Sequence, residues 1–126
     1  MHNFFLLFAA FNGAVAVGLG AFGAHALKKH LSADMLAVWQ TAVQYHFIHL
    51  LALLAVALIM RQSLDKPALS LVLAGGGFCL GMLLFCGSLY WLALSGPRWL
   101  GPITPLGGLL FMAGWLSLFS HALPLR

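Results

Sequence analysis

The charged residues of this chain leave four long uncharged stretches: the residues before Lys28, Met35 to Met60, Pro67 to Pro97, and Trp99 to Leu125. Each exceeds the roughly 20 residues that cross a bilayer as a helix. Inside hydrocarbon every backbone polar group needs a partner within the protein, and separate apolar runs of this length meet that demand as helices. Of the 126 residues, 63% are hydrophobic and 6% are charged, against about a quarter charged in an ordinary soluble domain. A soluble fold with that surface would aggregate. The expectation is an all-α integral membrane protein.

The formal charge of +4 does not point to nucleic acid. Lys28, Lys29, Arg61, Lys66, Arg98 and Arg126 are scattered between apolar runs and form no basic patch. Basic residues in short loops suit a membrane protein and its anionic headgroups, so the expected surroundings are a lipid bilayer. Lys28, Lys29 and Arg98 fall on one side of the membrane; Arg61, Lys66, Arg126 and the amino terminus fall on the other. The positive-inside rule therefore does not choose an orientation.

Local chemistry places the helices at roughly 3–26, 33–60, 67–96 and 104–123. Ser32 reads as an N-cap with Asp34 in the first turn behind it. Thr104 reads as the cap of the fourth helix with Pro105 as its first residue; Gly96 and Pro97 end the third, and Pro124 closes the fourth. Ala24, His25 and Ala26 resemble a small-residue cleavage site, but no basic segment precedes the apolar run, which is too long for a secretory leader. The short loops make successive helices antiparallel neighbours. Residues 1–126 are thus expected to form a single transmembrane domain, an antiparallel up-down-up-down four-helix bundle. Small residues at four-residue spacing, Ala16–Gly20–Ala24 in the first helix and Gly77–Gly81 in the third, predict that these two helices form the packing spine.

Polar side chains gather at helix ends that this topology brings to one side. His25 closes the first helix; Gln40, Thr41, Gln44, Tyr45, His46 and His49 lie in the first half of the second. Ser88, Tyr90 and Ser95 lie late in the third, and Thr104, Gly107 and Gly108 open the fourth. At 100° per residue Thr41, Tyr45, His49 and Ala52 form one stripe, Gln40 and Gln44 a second beside it, and His46 falls on neither. Such groups are expected to turn inward, pair with one another or line a wet cavity. His49, about 21 Å along the helix from Met35 at 1.5 Å per residue, is the deepest ionisable group.

Two readings are open. The cluster is interhelical hydrogen-bonding glue, or it is a site for a small anionic molecule, a lipid headgroup or a proton. On the second reading the candidate residues are His25, Gln40, Thr41, Gln44, Tyr45, His49, Ser88, Tyr90, Thr104, Gly107 and Gly108, with a Gly-rich helix start offering free N–H groups to an anion. Catalysis has little to work with. Asp34 and Asp65 are the sole acidic side chains and both sit near loops, so no carboxylate pair or Ser-His-Asp set is expected. His46 and His49 lack further ligands for a metal, and His25 and His121 are badly placed to complete a bis-His haem. Cys79 and Cys86, about 10 Å apart on one helix, cannot bridge. No catalytic residue, metal or cofactor is expected.

The strings G-A-F-G-A-H at Gly20 to His25, W-Q-T-A-V-Q-Y at Trp39 to Tyr45, F-C-G-S-L-Y at Phe85 to Tyr90 and T-P-L-G-G at Thr104 to Gly108 resemble those of a small membrane-protein family. It is known as domain of unknown function 423 and includes bacterial inner-membrane proteins and the eukaryotic transmembrane protein 256. The resemblance runs through essentially the whole chain and leads one to expect Gln where His46 stands. It implies a four-helix protein of the cell inner membrane with both termini in the cytoplasm, and it carries no activity with it. The functional expectation is a non-enzymatic bundle that packs with itself or with a larger membrane complex.

Overall fold

The computed structural model describes residues 1–94 and 96–124; Ser95 of the polar cluster and the basic Arg126 lie outside the described residues. The described residues form four long antiparallel helices, α1 (His2–His25), α2 (Ala33–Gln62), α3 (Leu69–Ala93) and α4 (Ile103–Ala122). All four are long and apolar enough to cross a membrane. Ser32 caps α2 as the sequence suggests, its hydroxyl accepting the Met35 N–H at 3.2 Å. Helix α4 departs from expectation. It begins one residue before Thr104, after Pro102, because the Thr104 hydroxyl is engaged with α3 and with the Leu100 carbonyl instead of capping.

The central pair is α2 and α3, with α1 packed mainly on α2 and α4 mainly on α3. This corrects the spine read from the sequence, which paired α1 with α3. Of the small residues in α1, Gly13 and Gly18 face open space. Close backbone approach is found instead between α3 and α4, where a Cβ on Gly77 would lie 2.8 Å from the Leu110 carbonyl oxygen and 3.0 Å from the Gly114 Cα. In lipid, such close approach supplies the dispersion contact that a hydrophobic effect cannot. The core of Leu53, Val56, Leu71, Ala74 and Phe78 lies at the centre of this arrangement.

Helix α3 contains one wide π turn at Met82–Cys86, flanked by Gly81 and Gly87. The widened turn carries the Phe85 backbone against α4 at Gly107, where a Cβ would strike the Phe85 amide. Only glycine fits there without displacing a helix.

Candidate functional site

The inward face of α2 centres on Trp39, Ala42, His46, His49 and Leu53, all buried. Tyr45 is half-exposed, and Gln40, Thr41 and Gln44 point away from the bundle. None of these three turns inward; Gln40 and Gln44 instead border a hollow beside α1. Thr41 meets its polar need locally, donating to the Ala37 carbonyl at 3.0 Å. His46, which belonged to neither stripe, is at the centre of the buried face.

The Trp115 indole N–H of α4 donates to His49 Nε2 at 3.0 Å, while His49 Nδ1 lies 2.7 Å from the Tyr45 carbonyl. An indole N–H only donates, so Nε2 accepts, and the proton sits on Nδ1, where it is given to the carbonyl. His49 is therefore a neutral Nδ1–H imidazole. Its ring stacks on Phe111 with centroids 3.6 Å apart. The expected inward turn of this residue onto a neighbouring helix is what the structure shows.

His46 carries the opposite tautomer. Asn12 of α1 donates its amide N–H to the Phe8 carbonyl at 2.9 Å, which turns Oδ1 toward His46 Nε2 at 2.8 Å. Nε2 must then donate, and Nδ1 accepts from the Tyr90 hydroxyl of α3 at 3.0 Å. One side chain of α2 thus joins α1 to α3. A second tie lies beside it: the Trp39 indole donates to the Leu19 carbonyl at 2.9 Å, and its ring fills the space left by the missing side chain of Gly23. Trp39 and Tyr90 meet edge to face at 4.7 Å.

The eleven candidate residues are spread over several places. Ser88 and Thr104 pair at 2.6 Å and join α3 to α4. Tyr90 belongs with His46. Tyr45, His49 and Gly108 line a groove of about 640 Å³ between α2 and α4, walled by Phe85, Phe111 and Trp115. Gln40 and Gln44 border a separate hollow of about 190 Å³ against Gly20 and Ala24 of α1. His25 is exposed at the end of α1. Gly107 is buried against Phe85. Because α4 starts at Ile103, Gly107 and Gly108 lie beyond the turn whose N–H groups are free, so the anion cradle expected at that helix start is not formed by these two glycines. Asn12 and Trp115 were missed in the sequence, and His46 was seen in the polar cluster but not counted among the candidates. The signal for Asn12 was available: an amide in mid-span is costly in lipid unless bonded.

Four helices able to span a membrane, tied to one another by two neutral histidines and the Ser88–Thr104 hydroxyl pair, define a small polytopic membrane protein. The family described as "Protein of unknown function (DUF423)" matches residues 19–108, and the chain belongs to that family. It is 44% identical to UPF0382 membrane protein SSP2132 of Staphylococcus saprophyticus, over 90% of this chain and 92% of that protein. It is 43% identical to UPF0382 membrane protein YwdK of Bacillus subtilis, over 90% and 91%. To UPF0382 inner membrane protein YgdD of Escherichia coli K12 it is 40% identical, over 98% and 92%. No solved structure matches the chain.

Proposed function

We propose that this chain works by association within the bilayer, as a non-catalytic bundle that packs with a second copy or with a larger membrane complex. One observation carries the reading: the polar side chains of the interior are occupied with one another, while α1 keeps small residues uncovered. His46, His49 and Ser88 all bond within the bundle, and no buried side-chain polar atom among the described residues lacks a partner. Gly13 and Gly18 have nothing within 4 Å of where a Cβ would stand. Uncovered small residues are what helix association in lipid uses. Cross-linking in native membranes, followed by native mass spectrometry from gentle detergent, tests this. An oligomer or a co-purifying subunit is expected; a strict monomer with no companion would overturn the proposal.

A second reading, a binder of a lipid or small anionic molecule, is favoured by Tyr45. Its side chain lines the groove between α2 and α4, and its hydroxyl has no hydrogen-bond partner among the described residues. Loss of a retained lipid in the Tyr45→Phe variant would support this reading, and unchanged retention would count against it. Family resemblance supports both termini in the cytoplasm, with the basic side chains balanced three against three. Labelling of a single cysteine placed at Asn3 from the outside would contradict that orientation.

A further inference from the structure

Gln40 and Gln44 pose the sharpest physical problem on the molecule. Both are exposed on the outer face of α2, and neither has a side-chain partner among the described residues. With the midpoint of Ala33–Gln62 at the centre of the bilayer, Gln44 lies about 5 Å and Gln40 about 11 Å from that centre at 1.5 Å per residue, inside the roughly 15 Å half-thickness of hydrocarbon. A carboxamide facing acyl chains loses its hydrogen bonds with water and gains none. Something other than acyl chain covers these residues.

The surrounding surface has the form of a helix-packing seam. On α1 the residues Ala10, Gly13, Val17, Gly20 and Ala24 repeat at alternating spacings of three and four and are at most partly covered. On α2 the residues Ala37, Gln40, Gln44, Phe47 and Leu51 repeat in the same way. This spacing is the period of a left-handed helix pair. The two rows meet in the hollow bordered by Gly20, Ala24, Gln40 and Gln44, so small residues admit a helix to the place where the amides need partners.

We infer that this α1–α2 face is the interface with a second copy of the chain, closed by Gln40 and Gln44 bonding their own counterparts. The inference rests on the association proposed above and names its surface. Self-pairing is the argument for the occupant. Two copies inserted in the same sense relate by a twofold axis along the membrane normal, which keeps each residue at the depth of its counterpart. A carboxamide carries both donor and acceptor, so Gln complements Gln across such an axis, whereas an acyl chain offers neither group. Each interhelical amide pair contributes a factor of roughly three to ten in association.

The test uses the full chain in native membranes with Cys79 and Cys86 replaced by Ala. A single cysteine from Ala37→Cys reports on this face and one from Leu116→Cys on the outer face of α4; both parent residues are exposed. Oxidation is expected to join the Ala37→Cys variant to itself and to leave the Leu116→Cys variant monomeric. Adding Gln40→Leu and Gln44→Leu should then lower dimer yield at limiting concentration by about tenfold or more, with an unchanged far-ultraviolet helix signal. Dimers through Leu116→Cys alone overturn this surface and leave self-association standing. Monomers from both variants, with no co-purifying subunit, overturn the surface and the association together. Dimers insensitive to the two Gln→Leu changes, or capture of a different protein or a lipid by the Ala37 face, overturn the amide pairing.

Discussion

Trp115 and His49 lie on different helices, and the indole N–H of one ends 3.0 Å from the ring Nε2 of the other. A donor that cannot accept dictates the tautomer of its partner, so the geometry holds only with an unprotonated Nε2. This hydrogen bond between α2 and α4 therefore depends on a single lone pair, beside the stacking of His49 on Phe111.

Replacing His49 by Leu strands the Trp115 N–H and should lower bundle stability by about 1 to 2 kcal/mol or less. His49→Gln keeps an acceptor for the indole and should fall close to the parent protein. Equilibrium unfolding in mixed micelles measures both. Equal losses in the two variants would show that the bond is without weight.

The Asn12–His46–Tyr90 chain makes a coupled prediction. His46→Gln keeps one donor and one acceptor and should fall close to the parent in stability; His46→Leu should be measurably less stable, because Asn12 Oδ1 and the Tyr90 hydroxyl both lose their partner. A double-mutant cycle with Asn12→Leu and His46→Leu should give a coupling of about 0.5 to 1.5 kcal/mol. Additive losses would mean that the pair does not act as a unit.

Neighbouring glycines should answer differently to the same methyl group. At Gly107 a Cβ would strike the Phe85 backbone, so Gly107→Ala must part α3 from α4, at a cost of about 1 to 3 kcal/mol. At Gly108 the nearest atom is a Phe85 ring carbon at 3.8 Å, ordinary contact, and Gly108→Ala should be nearly silent. Thermal melting of the purified variants distinguishes them, and a silent Gly107→Ala would contradict the described α3–α4 contact.

The four apolar helices and their antiparallel order were legible because each depends on length and charge alone. The facing of α2 was not. In a soluble helix the polar side marks the outside, but in lipid the outer face is as apolar as the core, so hydropathy gives no phase. Polar residues then served as the guide, which is sound for His49 and misleading for Gln40 and Gln44. The α3–α4 approach escaped notice for a related reason. Gly77 and Gly81 stand out as a four-residue pair, whereas Gly107 and Gly114 lie seven apart and reveal their role only when the partner helix is in place. The pairing of Ser88 with Thr104 depends on the wide turn of α3, for which no local signal other than its flanking glycines exists.

That turn makes α3 a helix in two phases. A π turn accommodates one residue more than an α turn, so everything after Cys86 is rotated by about a quarter of a revolution relative to an unbroken helix. Ser88 reaches Thr104, and Tyr90 reaches His46, from the rotated half. Shortening the gene by one codon between Met82 and Cys86 would restore a uniform α3 and carry both side chains off their partners. The reading frame of contacts, and not merely their composition, is therefore stored in a single extra residue.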